Sequence, residues 1–132
     1  MPKTSGKYLL VLVTCASRRE ARRIAREVVT RRLAACVNLV EMPVQSVYRW
    51  KGKVEKGREF LLLIKTSQPR LAELMGEVHR LHSYEVPEFI ALPIVAGSSA
   101  YLRWLDECLA AEGEPEKQPL AARHRIRRNA YS

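Results

Sequence analysis

The chain opens its patterned region with an almost continuous apolar run, Tyr8-Leu9-Leu10-Val11-Leu12-Val13-Thr14. A run of that length without alternation predicts a strand covered on both faces. The period then changes. Ala21, Ile24, Ala25, Val28 and Val29 recur at i, i+3, i+4, i+7 and i+8 with arginines between them, so one helical face is apolar and the other basic. Ser17-Arg18-Arg19-Glu20 fits a capping box, in which the Ser17 hydroxyl accepts from a first-turn N–H and Glu20 reaches back. A helix is predicted over about 18–32. Residues 36–42 read as a second strand that Pro43 breaks or bulges. Residues 44–50 alternate and continue it. Lys51-Gly52-Lys53 supplies a tight turn, and the return strand runs over 54–66.

These two arms make a long hairpin. Its outer half, about 45–58, is rich in charge and aromatics and too long for one small domain to cover, which predicts a partner subunit. Ser67 is placed to cap the next helix, with Pro69 in its first turn. Leu71, Leu74, Met75 and Val78 form its apolar stripe, and His82, four residues after Val78, falls on the inward side of its end. Residues 89–95 read as a buried strand. Gly97-Ser98-Ser99 ends it and opens a third helix on which Tyr101, Leu102, Leu105, Cys108 and Leu109 share a face. The order β-α-β-β-α-β plus a closing helix predicts an α+β, ferredoxin-like fold.

Composition adds limits rather than a function. A chain of 132 residues suits one domain. Its divisions are a flexible N-terminus over 1–7, the domain over 8–111, and a linker with a basic tail over 112–132. No apolar run approaches the ~18 residues needed to span a membrane. The run over 8–13 is too short for a signal-peptide core and has no cleavage site after it, so a cytoplasmic protein is expected. The formal net charge is +9, from 23 Lys and Arg against 14 Asp and Glu. Part of it is a tail property: Lys117, Arg123, Arg125, Arg127 and Arg128 follow the last acid, Glu116. A second concentration, Arg18, Arg19, Arg22, Arg23, Arg26, Arg31 and Arg32, lies on the first helix and is expected to form a solvated face, although such patches also attract phosphates. Cys15, Cys36 and Cys108 have neither CxxC nor zinc-finger spacing and fit reduced, buried thiols.

The candidate chemistry is concentrated in His82-Ser83-Tyr84-Glu85-Val86-Pro87-Glu88, a polar connection between helix and strand. Imidazole with carboxylate suits a borderline metal such as Cu2+. His82 and Glu88 are therefore the candidate metal ligands, with Glu85 beside them. No catalytic residues are assigned and no enzyme is expected, because no nucleophile accompanies the imidazole and no glycine-rich phosphate loop precedes Lys65-Thr66. Nucleic acid is not an expected partner. The central strands are aliphatic and offer no aromatic platform for bases, which leaves the basic tail as the only hint.

Five segments together resemble the CutA divalent-cation-tolerance family. They are Arg32-Leu33-Ala34-Ala35-Cys36-Val37-Asn38, Ser46-Val47-Tyr48-Arg49-Trp50-Lys51-Gly52-Lys53, Ile64-Lys65-Thr66, the His82–Glu88 stretch, and Tyr101-Leu102-Arg103-Trp104-Leu105. The resemblance covers about 8–109. It implies a homotrimer in which long hairpins pair between subunits and bury Tyr48 and Trp50 at the interface. It implies a role in tolerance of divalent metals, copper above all, through binding or signalling, and an architecture like that of the PII proteins. No cofactor is required; Cu2+ or Zn2+ would be a ligand. Where some relatives carry Cys at the end of the first strand this chain has Val13, with Cys15 two residues on, and Leu81 stands where a double His would begin. Tyr84, Glu85, Cys15 and Lys65 are assigned to an intersubunit binding cleft. The alternative is a PII-like sensor of a small metabolite; a nucleic-acid-binding ferredoxin-like module ranks behind both.

Overall fold

A computed structural model describes residues 6–110; the expected tail over 112–132 lies outside them. Strand β1 (Tyr8–Cys15) leads into α1 (Arg18–Thr30), followed by β2 (Cys36–Leu39), β3 (Val44–Trp50), β4 (Lys53–Ser67), α2 (Gln68–Leu81), β5 (Ile90–Pro93) and α3 (Ser99–Cys108). The strands form one five-stranded sheet in the order β2-β4-β1-β5, with β3 on the outer half of β4. Every pairing is antiparallel, and β1 lies against the inner half of β4 from Tyr8↔Ser67 to Cys15↔Phe60. The fold is α+β, with an antiparallel sheet and three helices.

Local chemistry explains the boundaries. Ser17 Oγ accepts from the Glu20 N–H at 3.1 Å, so the start of α1 falls where the sequence places it. Arg32, with φ of +60°, stops the helix short of the expected end. Ser67 takes the cap position of α2, but its side chain makes no capping hydrogen bond, and Pro69 supplies the start instead. Ser98 caps α3 through the Tyr101 N–H at 3.2 Å. Trp50 pairs with Lys53 across a two-residue turn in which both Lys51 (φ +51°) and Gly52 (φ +80°) are left-handed, the geometry that matches strand twist.

The main core lies between the helices and one sheet face. Val11, Val13 and Cys15 meet Ala21, Ile24 and Val28 of α1, Leu62 and Ile64 of β4, and Leu74, Val78 and Leu81 of α2. A smaller cluster joins Ala35 to Leu102 and Leu105 of α3 and to Leu109 just after it. Met75, expected in the apolar stripe of α2, is exposed, and so is Val29 on α1.

Two expectations about the sheet need correction. Among the described residues the first strand is not covered on both faces: Leu10 and Leu12 are only half-buried. The strand expected over 89–95 is neither that long nor buried. It is an edge strand, Ile90–Pro93, exposed throughout, because among the described residues its only strand neighbour is β1 and no helix covers its outer face.

Candidate functional site

The site forms where β1 and α2 end and α1 begins. His82 is the residue after α2, in extended conformation, with its N–H still donating to the Val78 carbonyl at 2.9 Å. Its ring is carried inward, as the Val78-to-His82 spacing predicts, and the side chain is fully covered. The ring is fixed at both nitrogens. The Tyr84 N–H donates to Nδ1 at 3.0 Å, so Nδ1 carries the lone pair and Nε2–H donates to the Thr14 carbonyl at 2.7 Å. Tyr84 also packs its ring on the imidazole, with centroids 4.7 Å apart.

Two further donors converge there. Strand β1 extends to Cys15, whose side chain shares the helix-facing side with Val11 and Val13 and is fully buried. Glu20 caps nothing with its carboxylate. The side chain turns inward instead, and Oε2 comes to 3.4 Å from His82 Nδ1. That oxygen is buried and has no hydrogen-bond partner among the described residues. One ligand atom from each of Cys15, Glu20 and His82 lies within 4.8 Å of the others, the only cluster of three such donors among the described residues.

The electrostatics are those of a negative pocket. Burial, then Glu20 and Glu59, push the Cys15 thiol up to about 12, so the sulfur keeps its proton near neutral pH. Glu59 is held at the root of the hairpin. It accepts from the Ser46 hydroxyl at 2.6 Å and from the Tyr84 hydroxyl at 2.8 Å. Burial and that bond raise the Tyr84 phenol above its ordinary range. Partial burial, then Glu59, raise the Glu88 carboxyl.

The residues singled out in the sequence separate into groups. His82 and Cys15 come together, and Tyr84 covers them. Glu88 stays outside the three-donor cluster and is exposed. Glu85 is exposed as well. Lys65 pairs in register with Leu10, on the sheet face opposite Cys15, and bonds Asn38 Oδ1. Tyr48 and Trp50 stand far out on β3, 46 % and 47 % exposed. Glu20 and Glu59 were missed. Glu20 precedes Ile24 by four residues and so borders the buried face of α1, a signal masked by its place in the capping box. Nothing in the local pattern marks Glu59, because its role depends on contacts with Tyr84 and Ser46.

A thiol, an imidazole and a carboxylate with an unmatched buried oxygen form a donor set that fits a borderline divalent cation. Known proteins resemble the chain in sequence and in fold. The family model for the CutA1 divalent ion tolerance protein matches residues 9–108. Mouse "Protein CutA" is 44 % identical over 102 residues, covering 77 % of this chain and 57 % of the relative. "Protein CutA, chloroplastic" of Arabidopsis thaliana is 47 % identical over 97 residues, covering 74 % and 53 %. The chain thus spans little more than half the length of these two relatives. The solved divalent cation tolerance protein of Thermus thermophilus superposes with a TM-score of 0.73 at 47 % identity, covering 74 % of this chain and 94 % of that one.

Proposed function

The chain belongs to the CutA1 divalent ion tolerance family, and from that premise we propose that it captures a divalent cation of the copper or zinc class at Cys15, Glu20 and His82. The observation that carries this reading is the buried Glu20 Oε2, unpartnered and facing both a ring nitrogen and a thiol. A buried carboxylate oxygen without a partner costs free energy, and a cation among these donors removes that cost. Because the Nδ1 lone pair is occupied by the Tyr84 N–H, a cation at Nδ1 displaces that bond. Loading therefore disturbs the 82–84 backbone, which supports a binding or signalling role over turnover. Glu59 and Glu88 contribute negative field rather than direct ligation.

The same reading takes the protein as a cytoplasmic homotrimer of ferredoxin-like domains. The sheet order β2-β4-β1-β5 supports the fold description, the uncovered sheet face supports assembly, and three free cysteines support a reducing compartment. No helix among the described residues is long and apolar enough to cross a membrane. Detection of the protein in an exported fraction would overturn the cytoplasmic placement.

Calorimetric titration of Cu2+ and Zn2+ tests the site. Cys15→Ala, Glu20→Gln and His82→Gln are each expected to weaken binding by at least about tenfold, and Glu88→Gln by much less. Proton release on binding is also expected, because the Cys15 thiol must ionise. Full affinity in Glu20→Gln with loss in Glu88→Gln would return the site to the His82–Glu88 pair. Binding of a nucleotide or other metabolite in metal-free buffer, without metal binding, would favour the PII-like sensor.

A further inference from the structure

We propose that the outward face of α1 is a docking surface for the phosphate backbone of double-stranded nucleic acid. Arg19, Arg22, Arg23 and Arg26 are all exposed and fall at i, i+3, i+4 and i+7. They form one stripe opposite the buried Ala21, Ile24 and Val28. The acids nearby neutralise it only in part: Glu77, paired with Arg80 and Arg31, also feels the charge of Arg23. Glu20 is turned into the core pocket. Glu27 pairs with Arg31 at 3.3 Å, on the flank of the helix. Glu41 is shared between Arg18 and Arg22 at 3.4 and 3.5 Å. Arg19, Arg23 and Arg26 therefore carry no ion pair among the described residues. Neighbouring like charges at these spacings repel one another, and a polyanion relieves that repulsion by neutralising them.

The chemistry of the stripe favours a phosphate backbone over other anionic partners. Four guanidinium groups along seven residues of helix span about 10.5 Å. At one phosphate per ~3.4 Å on each strand, that length covers about three successive phosphates. Guanidinium binds phosphate in bidentate fashion. A membrane-surface helix needs apolar side chains beside its cations, and those of α1 are mostly consumed by the core. A protein interface needs a central aromatic or aliphatic anchor, and none stands within the stripe. No Asn or Gln lies on α1 to read adenine edges, and the proposal assigns the arginines to phosphates, whose contacts carry no sequence information. The tail cations Lys117, Arg123, Arg125, Arg127 and Arg128 add charge of the same sign.

The test is fluorescence polarisation of a labelled 20-base-pair duplex with the full chain across a sodium chloride series. The slope of log K against log salt is compared between wild type and R19Q/R22Q/R23Q/R26Q. The tail is common to both proteins, so the difference reports the stripe alone. Loss of about three phosphate contacts is expected to reduce the slope by about 2.7. The matching quadruple Arg→Lys variant is expected to keep most of it, and circular dichroism with thermal melting shows that each variant is folded. A slope changed by less than one overturns the proposal. So does arginine-dependent binding to vesicles containing phosphatidylserine without binding to the duplex.

Discussion

Glu20 and Glu77 are both acids at the edges of helical faces, and their surroundings set them to opposite tasks. Glu77, on the inner edge of α2, is matched: Arg80 donates to it at 2.6 and 3.0 Å, and Arg31 lies at 3.3 Å. The Arg80 bonds first, then Arg31, hold its carboxyl below the ordinary range. Its contribution to stability is therefore present above the unfolded value of about 4.3 and is lost as pH falls through the folded value. Urea unfolding at pH 7 should show Glu77→Gln less stable than wild type, with the gap closing towards pH 3; a gap independent of pH would remove Glu77 from the titrating set. Glu20 is unmatched, so Glu20→Gln in EDTA should leave stability unchanged or raise it by up to about 1 kcal/mol while metal affinity falls. A clear drop in Tm would mean that the carboxylate is structurally paired rather than held for a ligand. The inward position of His82 was legible because one spacing, from Val78, fixes it. The side of Cys15 was legible because strand parity fixes it. The direction of Glu20 was not, because one side chain had two local options and a tertiary contact chose between them.

Pattern reading succeeds where an element is decided by its own residues. Helix α1, the two arms of the hairpin and the turn at Lys51-Gly52 follow from period and glycine, whereas the strand expected over 36–42 stops at Leu39, short of Pro43. The turn has one residue against its grain. Lys51 sits at φ +51°, where a side chain with a Cβ costs about 1–2 kcal/mol and Asn costs less. Lys51→Asn should raise stability by about 0.5–1 kcal/mol, read as a shift of the urea midpoint at constant m. A fall would show that the lysine is held by something beyond its 6.0 Å approach to the Trp50 ring. The strand over 89–95 failed as an expectation for a different reason. A continuous apolar run shows that side chains want to be covered, but not by what. Among the described residues no helix covers this run.

That uncovered surface shapes the molecule as a whole. Register places Leu12 beside Leu63 and Ile90, and Leu10 beside Leu92, on the sheet face away from α1 and α2. Ile90 and Leu92 are 48 % and 41 % exposed. Farther along, Val47, Tyr48, Trp50 and Val54 project from the hairpin at 62 %, 46 %, 47 % and 65 %. Exposed aliphatic residues on the sheet face and exposed aromatics on the hairpin are the kind of surface that marks an interaction site, and β5 adds a strand edge. Under the proposed assembly another copy of the chain would satisfy both needs, with the long hairpin extending onto a neighbour's sheet. Light scattering should give about three times the 15.1 kDa chain mass; a value near one chain mass would refute assembly. Two substitutions separate the surfaces. In a monomer, Trp50→Ala removes a ring already half in water and costs little. At an interface it empties a packed site and should cost about 3 kcal/mol or more per copy, lowering Tm in a concentration-dependent way. Ile90→Lys with Leu92→Lys places charge on the sheet face and should yield smaller species that bind a hydrophobic dye. If both variants keep the wild-type mass and melting behaviour, the exposed face is covered by something other than its own kind.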